Sequence, residues 1–132
     1  MLVTNPKLVI SSTFFILPCI QGIFYKKYVF ATIMFLLTLT SVIQHTFLGR
    51  TQYLKWIDRF YAATLTIGLT YISLVHPLNA LSYVAGACGL ASTLLYICSK
   101  YSKYRLQLHL GVHLFGMIGF MLFFVSYKSK LS

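Results

Sequence analysis

Long apolar runs separated by short polar and basic groups set the pattern of this chain. A helix needs about 20 mostly apolar residues to cross a bilayer. Five segments read that way: residues 8–24, 28–47, 56–75, 78–98 and 106–125. Together they take about 100 residues, so the loops are short and no extramembrane domain fits. The pattern predicts an all-α, polytopic transmembrane bundle in which residues 1–132 form one membrane domain. Pro18 lies inside the first segment and predicts a kink rather than a stop. That segment reads as a span, not a signal peptide: its apolar stretch is too long and no small-x-small cleavage site follows. In the fourth segment Ser82 and Gly86, like Ala85 and Gly89, are four apart. Small residues at that spacing predict close helix packing and no chemistry.

Composition narrows the class further. Charged residues make up 9% of the chain and hydrophobic ones 58%, whereas a soluble domain carries about 25% charged residues. Disorder is excluded by the hydrophobicity. A net charge of +10 suggests nucleic acid, but the basic residues sit in small groups between apolar runs rather than along a polar stripe. They serve instead as a topology signal. With the N-terminus in the cytosol, Lys7, Arg50, Lys55, Arg59, Lys100, Lys103 and Arg105 fall inside, against Lys26, Lys27, Lys128 and Lys130 outside. The excess predicts an N-in, C-out, multi-pass protein. Asp58 is the only acidic side chain. Carboxylate-pair chemistry of the glycosidase kind and an all-protein calcium cage are therefore excluded. Cys19, Cys88 and Cys98 lie in apolar segments without CxxC spacing and read as small core residues.

Polar groups inside a membrane are costly and point to function. Ser41 and His45 lie near the end of the second span, Asp58 near the start of the third, and His109 and His113 near the start of the fifth. Ser41 and His45 are one helical turn apart, as are His109 and His113, so each pair shares a helix face. Two His at that spacing can aim ring nitrogens at one metal ion. Counting spans then places His45, Asp58, His109 and His113 at one membrane face, whichever face it is. His76 falls on the other. Three His leave a fourth position open on a tetrahedral zinc, the arrangement of catalytic sites. Zinc makes water nucleophilic near neutral pH, Asp58 is the one candidate for handling its proton, and Ser41 can orient a ligand or stabilise an oxyanion. Taken singly, each residue has a plainer role. A membrane His bonds a neighbouring helix, a Ser bonds back to its own helix, and Asp58 pairs with Lys55 or Arg59 at the interface. Their gathering at one depth favours a site.

These residues resemble the signature of the CREST superfamily of membrane metallohydrolases, which includes the alkaline ceramidases and the progestin/adiponectin receptors. The matching elements are Ser41-Val-Ile-Gln-His45, Asp58 within Trp-Ile-Asp-Arg, and His109-Leu-Gly-Val-His113. The resemblance implies zinc held by His45, His109 and His113, with Asp58 and Ser41 around the attacking water. It implies hydrolysis of a lipid amide taken from the bilayer, ceramide first, to sphingosine and fatty acid. The chain departs from the family in having five expected spans rather than seven, so a homo-oligomer would be called on to close a substrate chamber. The calcium site of some alkaline ceramidases does not carry over, because its acidic residues are missing. Rival readings are a receptor or scaffold of the progestin/adiponectin type, haem ligation or proton transfer by the His residues, and a non-catalytic membrane subunit.

Overall fold

The computed structural model describes residues 6–46 and 52–130, without the side chains of residues 46 and 52–55. Phe47, Arg50 and the side chain of Lys55, used above for span limits and charge bias, lie outside the described set. All described elements are helical. They are α1 (Pro6–Ser12), a 3-10 turn (Thr13–Phe15), α2 (Ile16–Phe24), α3 (Tyr28–Thr46), α4 (Gln52–Val75), α5 (Ala80–Tyr101) and α6 (Arg105–Tyr127).

The first apolar segment is broken where its sequence requires it. Pro18 has no amide hydrogen and its ring crowds the carbonyl of Phe14, so the turn before it cannot keep the α-helical ladder. The 3-10 turn lies there, and the buried Pro18 opens α2. α2 ends on Lys26, which has a positive φ of 59°. Lys26 N–H donates to the Ile23 carbonyl and Lys27 N–H to the Gly22 carbonyl, the paired bonds of a Schellman ending. The left-handed Lys26 costs about 1–2 kcal/mol relative to glycine, yet it reverses the chain in very few residues and sets α3 back against α2. α5 starts at Ala80, two residues later than the expected span, because Asn79 caps it: its side chain accepts from Ser82 N–H in a capping box.

Among the described residues, Pro6–Phe24, Tyr28–His45, Ala80–Tyr101 and Arg105–Tyr127 are long and apolar enough to cross a membrane. α4, expected as the third span, differs. Its 24 residues measure about 36 Å, but Asp58, Arg59 and its threonines and tyrosines leave it less apolar than the other four. It nevertheless runs the height of the bundle. Near its start Asp58 faces Thr40 of α3, and near its end the Ile72 and His76 carbonyls accept from the Tyr127 hydroxyl of α6.

The distribution of side chains is that of a protein solvated by lipid. Phe24, Phe60, Ile67 and Leu94 are exposed, while Ser12, Ser73, Ser82 and Ser92 are buried between helices. In hydrocarbon the outer surface gains nothing from being polar, and small hydroxyls serve as contacts between helices. Ser92, for example, donates to the Val112 carbonyl across α5 and α6. The small residues of α5 pack as their spacing predicts. A Cβ on Gly89 would overlap the Thr70 hydroxyl of α4. The apolar centre joins Phe30 and Met34 of α3 to Phe120, Phe123 and Phe124 of α6, with the rings of Phe30 and Phe124 4.9 Å apart.

Candidate metal centre

Antiparallel α3 and α6 bring their candidate residues to one end of the bundle. α3 ends there with Ser41 and His45, and α6 begins there with His109 and His113, so parity alone sets them level. The structure adds the helix rotation that makes them meet. The ring centroids of His109 and His113 are 4.8 Å apart, those of His45 and His109 5.2 Å, and those of His45 and His113 5.3 Å. His45 and His113 are buried and His109 is half-buried.

The three imidazoles can each offer one nitrogen, and those nitrogens lie within 4.8 Å of one another. Around a tetrahedral ion with bonds of about 2.1 Å, ligand nitrogens sit roughly 3.4 Å apart, a difference that small side-chain rotations close. The cluster could therefore hold a metal ion. Imidazole donors suit zinc and its transition-metal neighbours rather than calcium or magnesium.

Other elements wall the cluster. Phe15, from the 3-10 turn, sets its ring edge against His113 at 5.6 Å. Tyr96 of α5 lies 6.2 Å from His109, and Arg59 of α4 is near enough to act on His109 electrostatically. Asp58 is at the same end but is not among the groups close enough to share an ion with the imidazoles. Its carboxylate faces Thr40, the residue before Ser41, and its Oδ1 is buried without a hydrogen-bond partner. A buried carboxylate oxygen with an unused lone pair is uncommon and marks a place where a water, ion or substrate is expected. His76 is at the far end, where its carbonyl accepts from Tyr127. Tyr127 is about 21 Å along α6 from His113.

Two residues that sequence reasoning passed over enter here. Ser11 Oγ is 2.6 Å from His113 Nδ1, and Ser12 Oγ is 2.8 Å from Ser41 Oγ. Both serines are buried. Their signal in the sequence was the run Ser11-Ser12-Thr13 inside an apolar segment. Ser41 thus stands beside the cluster with a hydroxyl already engaged.

Comparison with family models, with curated proteins and with solved structures finds no match. The functional reading therefore rests on the geometry of this end of the bundle.

Proposed function

We propose that the protein is a zinc-dependent intramembrane hydrolase that cleaves an amide bond in a lipid, ceramide being the leading substrate and sphingosine and fatty acid the products. The observation that carries this reading is the convergence of buried His45 and His113 with half-buried His109 from two helices. The residue pattern shared with the membrane metallohydrolases supports it. So does a chain whose exposed side chains are lipid-facing aromatics and aliphatics.

His45, His109 and His113 would hold the ion, each through one nitrogen. Zinc, when bound, would supply a Lewis acid that makes water nucleophilic at neutral pH. Asp58 is assigned to the proton. It takes one from the attacking water and returns it to the amine that leaves as the C–N bond breaks. The unused Oδ1 supports this role. Ser41 is held by Ser12, which favours an orienting task over oxyanion donation. Arg59 beside His109 is placed to attract the carboxylate of the released fatty acid. Lipid tails would lie in the apolar surface. A recess of about 290 Å³ is lined by Trp56, Ile57, Phe60 and Tyr61, the residues bracketing Asp58. A second, of about 200 Å³, lies between α3, α4 and α6.

The experiment is hydrolysis of a ceramide with a fluorescent acyl chain by purified protein in detergent, with and without prior chelation. Release of labelled fatty acid that chelation abolishes and zinc restores is the expected result. No release from zinc-loaded protein, across ceramides of differing chain length, overturns the assignment to lipid amides.

A further inference from the structure

Helix α1 has no part in the residue pattern that suggested the site, yet it reaches the deepest of the three imidazoles. His113 is about 5% exposed and presents Nδ1 to Ser11 Oγ at 2.6 Å. The same Ser11 hydroxyl is 3.0 Å from the Leu8 carbonyl. A carbonyl can only accept, and with the single proton of Ser11 directed to Leu8 the hydroxyl keeps its lone pairs for a second contact. In that arrangement Ser11 offers His113 a lone pair, and Nδ1 carries the hydrogen. A neutral imidazole with its hydrogen on Nδ1 has its free lone pair on Nε2, the nitrogen left to face the cluster. The ring is also fixed in orientation, by Ser11 on one nitrogen and by the edge of Phe15 at 5.6 Å.

We propose that Ser11 is a positioning residue for the metal centre. It locks His113 in the tautomer that ligates through Nε2, and α1 is thereby part of the site. The inference rests on the zinc reading above and deepens it. Partners of ligating His residues commonly have this role, and their loss costs about 10–100-fold in metal affinity. Ser12 has the equivalent place behind Ser41. Its proton goes to the Leu8 carbonyl at 2.8 Å, so it accepts from the Ser41 hydroxyl. Consecutive serines on one turn thus present lone pairs to two different helices of the site.

The test is zinc affinity of the full chain in detergent, measured by competition with a chromogenic chelator, for the Ser11→Thr and Ser11→Val variants. Thr and Val have the same shape and the same cost in packing, so their difference isolates the hydroxyl. The expected result is affinity near wild type for Ser11→Thr and a loss of about 10–100-fold for Ser11→Val. The cobalt-loaded Ser11→Val protein should also show a shifted visible absorption spectrum, which loss of packing alone would not produce. Thr13→Ala is the control, since that exposed hydroxyl only bonds the Ile10 carbonyl. Equal affinity of the Thr and Val variants, with His113→Ala unable to bind, overturns the role of Ser11 and leaves the zinc reading standing. Wild-type protein that takes up no zinc overturns both.

Discussion

The two ends of the bundle both bury polar side chains, but they use them differently. At the end of α6 opposite the His cluster, Ser126 donates to Asn79 Oδ1. Ser82 then donates to Ser126 at 2.5 Å and accepts from the Leu78 and Asn79 amides. Tyr127 donates to the His76 and Ile72 carbonyls. Each of these hydroxyl protons has an acceptor, and the network ties the connection between α4 and α5 to α6; outside it, Gln21 Oε1 of α2 is buried without a hydrogen-bond partner. At the His end, three imidazoles each bring a nitrogen within 4.8 Å of the others, and Asp58 Oδ1 is buried without a hydrogen-bond partner. A network of satisfied groups is a fastener. A buried carboxylate oxygen with an unspent lone pair is costly in hydrocarbon, and a water or ion beside it is a natural way to offset that cost.

This contrast can be broken or sharpened by substitution. The largest effect is expected for His45→Ala, which removes the one proposed ligand from α3: on this account turnover of ceramide should fall to background, with metal content following it. Asp58→Asn should come next. The amide keeps the shape but cannot take a proton, so turnover should drop by about 10²–10⁴-fold while bound zinc, measured by elemental analysis, is unchanged. At the other end the effects should be on stability alone. Ser126→Ala removes one of the two donors to Asn79 Oδ1 and the acceptor of the Ser82 hydroxyl and should cost about 1–3 kcal/mol, read by denaturant titration in detergent, with zinc content intact. Tyr127→Phe should cost about 0.5–1.5 kcal/mol for the lost hydrogen bond. If Ser126→Ala instead depleted zinc as strongly as His45→Ala, the division between the two ends would be wrong.

Much of this arrangement was legible in the sequence because it depends on counting. The apolar runs give the helices, and their number sets which ends are neighbours. The i, i+4 spacing of Ser41 with His45 and of His109 with His113 sets which side chains share a face. None of that contains the rotation of one helix about its axis against another. Asp58 was therefore expected at the cluster, and it is found level with it but turned toward Thr40. Ser11 was missed for the same reason. Both it and Ser12 bond the carbonyl of Leu8, the ordinary behaviour of a serine in a membrane helix, and only tertiary contact shows what their lone pairs face. Local backbone exceptions were hidden too. A lysine at the left-handed end of α2 gives no glycine signal, and the late start of α5 follows from an Asn79–Ser82 pairing that a hydropathy pattern does not contain. The reduced apolarity of α4 was visible in Asp58 and Arg59, but length and flanking runs concealed it.

Zinc stoichiometry of the purified protein tests the central claim most directly. Wild-type protein, purified without added metal and measured by mass spectrometry of the elements, should contain about one zinc per chain, and His109→Ala should contain almost none. Wild-type protein without zinc that also takes none up on addition, or equal zinc in His109→Ala, would contradict the account.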